Sequence, residues 1–218
     1  MVTVHRSFPS LLATVFLSLI GLGTSSAQET MTKIVFRDGG KGIEKGSFAE
    51  QPKTLYTLGK EKGRLEDAFD SAQGLHGLVV VNGKDCWILN RVTKTGRHII
   101  DPSPTNDFHV PLVPPTKEKE PPPFGDFEMG REIAFMTKHH VEPKTIQQEG
   151  KSLDHYEYTQ DGYVLQLDVS QEKGTPVMTC VVKDKVEVAR LFYLEYVQSI
   201  PADPTLFAPP ADFKITDD

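Results

Sequence analysis

Apolar and polar residues alternate with a period of two along most of this chain, the spacing of β-strands whose two faces meet different surroundings. The clearest run is Tyr163, Leu165, Leu167 and Val169, interleaved with Val164, Gln166 and Asp168 after a turn at Asp161-Gly162. Across Lys183-Asp184-Lys185 a further strand places Val186, Val188, Phe192, Leu194 and Tyr196 on one face. Residues 32–37, 53–58, 64–69, 96–101, 152–159 and 177–183 read as shorter strands. In 64–69 the alternation groups Leu65, Asp67 and Phe69 against Arg64, Glu66 and Ala68. Leu78-Val79-Val80-Val81 and Cys86-Trp87-Ile88-Leu89 flank Asn82-Gly83, a dipeptide suited to the positive φ angles of a type I′ hairpin turn. The pattern predicts a mainly β protein, an antiparallel sheet of about eight to eleven strands.

Two segments break the alternation. Residues 102–123 hold eight of the chain's sixteen prolines, and proline cannot donate to a strand ladder, so this stretch is expected to be a long extended loop. Beyond it, Asp126 is placed to N-cap a short helix reaching Lys138, with Met129, Ile133 and Met136 on its apolar face.

The first residues have a different character. His5 and Arg6 precede an apolar stretch from Leu11 to Leu22, and Ser25-Ser26-Ala27 supplies the small residues of a signal-peptidase site. The apolar run is shorter than the ~20 residues that span a bilayer. Residues 1–27 are therefore expected to be a secretory signal peptide, and residues 28–218 a single exported domain, periplasmic or extracellular. With 24 basic against 30 acidic residues the chain carries a net charge of −6, which argues against nucleic acid or anionic lipid as the main partner.

Export would permit a disulfide between the two cysteines, Cys86 and Cys180, although burial as two separate small hydrophobes is the preferred alternative. The sequence contains no G-x-S-x-G elbow, H-E-x-x-H or phosphate-binding loop, and Gly40-Lys41-Gly42 with Gly46 reads as a turn. His139-His140 beside Glu128, Glu132 and Glu142 offers metal-ligand chemistry, but adjacent histidines point to different sides of a helix or strand. No metal, cofactor or catalytic residue is assigned.

Leu55-Tyr56-Thr57-Leu58, Arg64-Leu65-Glu66, the run from Leu78 to Gly83, Cys86-Trp87-Ile88-Leu89-Asn90 and the closing 206–213 segment together resemble the pattern of the periplasmic lipoprotein-carrier (LolA/LolB-like) superfamily. The resemblance implies an incompletely closed antiparallel β-barrel around an apolar cavity, with one or two short helices as a lid. Members of that superfamily carry lipoprotein acyl chains or sense lipids and misfolded envelope proteins. This chain departs from the carriers in lacking a helix before its first strand and in having Lys60 where they place an arginine before a proline. Arg64 at the cavity mouth, with Phe69, Trp87, Tyr163 and Phe192 along the wall, are the candidate ligand-binding residues. Core packing of the aromatics and a solvated Arg64–Glu66 ion pair are the competing readings. The expected function is a non-enzymatic binding protein for an apolar ligand, a lipid or a lipoprotein acyl chain. The alternative is an envelope interaction or sensor module without a small ligand.

Overall fold

The computed structural model describes residues 29–41, 43–103, 108–110, 112 and 123–217. The proposed signal peptide and most of the proline-rich segment lie outside these residues. Twelve strands form one sheet: β1 (Thr30–Gly39), β2 (Lys53–Leu58), β3 (Lys62–Asp70), β4 (Leu75–Asn82), β5 (Asp85–Asn90), β6 (Thr95–Ile100), β7 (Lys144–Gln148), β8 (Lys151–Gln160), β9 (Tyr163–Ser170), β10 (Thr175–Lys183), β11 (Val186–Pro201) and β12 (Lys214–Asp217). The spatial order is β12-β6-β5-β4-β3-β2-β1-β11-β10-β9-β8-β7. Two antiparallel meanders, β1 to β6 and β7 to β11, are thus joined side by side through β1 and β11. The terminal strands β12 and β7 do not pair, so the barrel stays open.

Turn chemistry accounts for the hairpins. Asp161 and Gly162 both take positive φ, 51° and 78°, as a type I′ turn requires. The β4–β5 turn differs from its expected form. Asn82 pairs with Asp85, which leaves Gly83 and Lys84 as the two loop residues, and of these only Gly83 has positive φ, at 62°. That is the pattern of a type II′ turn, one residue later than the sequence suggested, because glycine alone tolerates the first central position.

The face carrying Ile34, Leu55 and Leu65 in register is the inner one. It continues through Leu165, Leu167, Val181 and Leu191 and packs against Phe124, Phe127, Met129, Phe135 and Met136 from the segment between the two meanders. That segment contains α1 (Glu132–Lys138), shorter than the helix expected from Asp126. Asp126 does not cap it. Its carboxylate instead accepts from Lys138 Nζ at 2.5 Å, and this hydrogen bond holds the acid below the usual carboxylate range. Met136 is buried on α1 and Ile133 partly so, whereas Met129, expected on the same helix face, is buried ahead of the helix.

On the first meander the opposite face is covered by the C-terminal segment. After a single 3-10 turn at Pro204–Phe207, Phe207 packs with Met31 and Leu58, and Phe213 and Ile215 pack on Leu78, Val80, Leu89 and Trp87. The chain then ends as β12, parallel to β6. Neither β7 nor the pairing of β12 was legible in the alternation.

Of the five register shifts in the sheet, two decide which side chains near the site share a face. Between Glu66 and Phe69 the β3–β4 register shifts, so Phe69 opposes His76 and turns away from the inner face of Leu65. A second shift on β11 pairs Phe36 with Tyr193 and Val35 with Glu195, leaving Leu194 as the extra residue. Tyr193 and Tyr196 therefore both face inward, whereas strict alternation would place Tyr196 with Phe192 and Leu194.

Candidate functional site

The five nominated side chains do not converge. Tyr163 is buried on the inner face, 6.1 Å from the Phe124 ring, with Lys183 Nζ 4.8 Å from its centroid. Arg64 and Trp87 lie on the opposite face. Arg64 is 7 % exposed, pairs with Glu66 at 2.5 Å and donates to the Leu206 carbonyl at 3.0 Å, so it is neither a solvated surface charge nor at a cavity mouth. Trp87 stacks on His98 at 5.1 Å and packs under Phe213 and Ile215. Phe192 is also on that face, with Arg37 at 4.7 Å above its ring. Phe69 is 55 % exposed at the β3–β4 turn. The reason is parity: residues an odd number of positions apart on a strand, or separated by a bulge, project to different sides.

The cysteines are free. Cys180 is buried, as the preferred reading had it, and Cys86 is half-buried. A bridge between them is not formed. They sit on β5 and β10 with β4, β3, β2, β1 and β11 between, too far apart in the sheet for the ~7 Å Cα approach a disulfide needs.

What the structure assembles instead is a cavity of about 400 Å³ on the inner face, beside the helical segment. Phe36 and Leu65 from the sheet, Leu112 and Met129 from the connecting segment, and Leu191 from β11 supply its apolar lining. The rim is charged and largely self-neutralising. Lys53 Nζ donates to Asp38 at 2.6 Å, Arg190 to Glu187 at 2.5 Å, and the backbone N–H of Lys41 to Glu187 at 3.2 Å. Asp67 lines the same cavity and, among the described residues, has no hydrogen-bond or ion-pair partner; loss of hydration on burial pushes its carboxyl up. A second apolar hollow of about 300 Å³ lies on the inner face near Val81, Cys86, Ile99 and Phe108.

Beside these hollows the inner face is packed by the chain itself, around one buried carboxylate. Glu132 is 1 % exposed. It accepts from the Tyr193 hydroxyl at 2.7 Å, the Tyr196 hydroxyl at 3.1 Å and the Gly130 N–H at 2.9 Å. Burial pushes its carboxyl up despite these donors, and pushes both phenols up as well, so the tyrosines keep their protons as donors. The network ties α1 to β11, the strand that joins the meanders. Glu132, in the sequence one of several carboxylates near His139, is thus a structural anchor. The neighbouring groups have separate partners: Glu128 is bound by His109 at 2.6 Å and Arg131 at 3.1 Å, while the His139 ring packs on Phe135 and Tyr158. No group of three metal-ligating side chains occurs among the described residues.

Of the cavity's lining, the sequence pattern marks Leu65, Asp67 and Val188 as strand-face residues, Met129 as a helix-face residue and Lys41 as part of a turn, but none as a site. Lys53 and Asp38 carried no signal that they would meet.

No known protein family matches the chain. No curated protein matches it either. Solved structures similar to it include an uncharacterised conserved protein from Thermus thermophilus, with a TM-score of 0.48 and 11 % identity over 87 % of this chain and 91 % of that one. The complex of MucA and MucB from Pseudomonas aeruginosa gives 0.44 and 11 % over 87 % of this chain and 59 % of that chain, so this chain spans less than two thirds of that protein. A LolA superfamily protein from Nitrosomonas europaea, from the superfamily that the sequence resembles, gives 0.31 and 12 % over 83 % and 90 %. Among the described residues, no helix is long and apolar enough to cross a membrane.

Proposed function

We propose that this chain is an exported binding protein that takes the apolar part of an amphipathic ligand into the 400 Å³ cavity on its inner face. The observation that carries the reading is the cavity itself, with hydrocarbon side chains below and a charged rim above. Apolar-lined hollows of about 300 to 1,000 Å³ are the usual form of small-ligand sites. Because Phe124, Phe127, Phe135 and Met136 pack against much of the inner face, the ligand is a single chain of modest length rather than the several acyl chains of a lipoprotein. Each methylene moved from water contributes about 0.8 kcal/mol.

The test is displacement of a neutral apolar fluorophore by straight-chain alcohols of increasing length, together with analysis of lipid that co-purifies with the protein. Saturable binding that tightens with length is expected. Ala189→Phe, which adds a ring to the cavity wall, should abolish it while leaving the melting temperature within a few degrees. If wild type shows no saturable binding, the reading fails. A second reading, an interaction module, is favoured by β7, a terminal strand whose outer edge faces no other strand among the described residues and offers backbone groups to a partner. A pull-down from the envelope fraction tests it.

A further inference from the structure

Three positive and three negative side chains line or rim the cavity, and their pairing is unequal. Lys53 is taken up by Asp38 and Arg190 by Glu187. Lys41 is exposed at the edge, where its backbone rather than its ammonium contacts Glu187. That leaves Asp67, which lies inside. The bulge between Glu66 and Phe69 keeps Asp67 on the inner face with Leu65 while sending Phe69 away. Its Oδ2 lies 2.7 Å from where a Cβ on residue 77 would be, so Gly77 provides the space in which the carboxylate sits. Lys53, Asp38 and His76 act on it only through space.

A half-buried carboxylate without a donor, at the wall of an apolar hollow, is an incomplete hydrogen-bonding arrangement that a ligand can complete. We propose that the ligand is a cationic amphiphile, an amine attached to an apolar chain, whose ammonium is held by Asp67 while the chain lies along Phe36, Leu65 and Leu191. This rests on the reading of the cavity as the ligand site and goes beyond it by giving the head group its charge. A carboxylate or phosphate head group would be placed against Asp67, and among the described residues the one lining cation without a carboxylate partner, Lys41, stands at the exposed edge.

The experiment compares decylamine, decanol and decanoate as competitors of the neutral fluorophore at pH 8, where an alkylamine is still protonated, on the wild-type protein and on Asp67→Asn. That substitution keeps the side chain's size and removes its charge. Decylamine is expected to bind about tenfold or more tighter than decanoate, the scale of a charge-assisted hydrogen bond. In Asp67→Asn the amine should lose that advantage while decanol binds as before, which also shows that the cavity is intact. Within the amine series affinity should rise about fourfold per added methylene until the cavity is filled. Equal or tighter binding of decanoate by wild type, or an undiminished amine preference in Asp67→Asn, overturns the inference and leaves the cavity reading standing. Failure of all three competitors, decanol included, overturns both.

Discussion

The guanidinium of Arg64 donates to the backbone carbonyl of Leu206 at 3.0 Å, across 142 positions of sequence. The contact pins the C-terminal segment over the face of β3 that points away from the cavity, and Glu66 beside it balances the buried charge at 2.5 Å. Glu66 in turn accepts from Arg91 at 3.3 Å, extending the link toward the β5–β6 turn.

Arg64→Ala should therefore act on stability and not on ligand affinity. Removing a hydrogen bond from a charged donor to this half-buried carbonyl costs about 1.5 to 3 kcal/mol. Urea unfolding should show that loss, with cavity binding unchanged. A stable Arg64→Ala protein that has lost its ligand would return Arg64 to the site.

Glu132→Gln separates burial of charge from hydrogen bonding. The carboxyl's folded-state pKa is raised by burial, so Glu132 favours the native state fully below its unfolded value near 4.5, and this contribution is lost as pH rises through the folded value. The amide introduced by the substitution carries no such dependence and can still accept from Tyr193 and donate to Tyr196. The variant is expected to lose less stability than wild type between about pH 4.5 and 8. Glu132→Ala removes the acceptor of both tyrosine hydroxyls, leaving Tyr193 its 3.3 Å contact with Thr179, and should instead cost about 1 to 3 kcal/mol at low pH, with the difference from wild type narrowing as pH rises. Parallel pH profiles for wild type and Glu132→Gln would show that the glutamate is not buried as described.

His98 bridges two carboxylates, Asp85 at 2.7 Å and Asp217 at 3.0 Å, and so links β5 and β6 to the last strand. The hydrogen bonds from Asp217 and then Asp85 raise its pKa above 6.5. The stabilisation is complete below the unfolded value and disappears as pH rises through the folded one. Amide hydrogen exchange in β12, corrected for the intrinsic rise with pH, should accelerate from about pH 6.5 upward. His98→Gln should remove that acceleration.

Trp87→Ala removes an indole stacked on His98 and packed under Phe213 and Ile215. Trp87 is only half-buried, so the loss should fall below the ~3 to 5 kcal/mol of a fully buried tryptophan. Differential scanning calorimetry would measure it, and ligand displacement should be unaffected. A stable protein unable to bind would contradict the placement of Trp87 away from the cavity.

Strands were legible wherever one face is buried, because alternation is then imposed by burial: β9, with Leu165 and Leu167 inward, is the plainest case. β7 was not, since its residues are almost all exposed and an edge strand needs no apolar face. The same logic explains the candidate site. Aromatic content pointed to Phe69, Trp87, Tyr163 and Phe192, yet Tyr163 is packed under α1 and its flanks and Trp87 under the C-terminal segment, while Phe69 is exposed and Phe192 lines a separate hollow on the outer face of the second meander. Residue type alone does not tell a covered face from an open one.

From sequence alone came the β class, the hairpins, the break at the proline-rich segment and the inward set of β9, all properties set by neighbours within a few residues. Which residues share the cavity was decided by the tertiary structure. The bulge on β3 that separates Asp67 from Phe69, the bulge on β11 that brings Tyr193 and Tyr196 to Glu132, and the β1–β11 pairing that sets Lys53 and Asp38 near Arg190 and Glu187 each depend on a partner strand's register. A one-residue shift in register reverses every side chain beyond it, and the energy that selects the register lies in contacts between distant segments rather than in the strand that carries it.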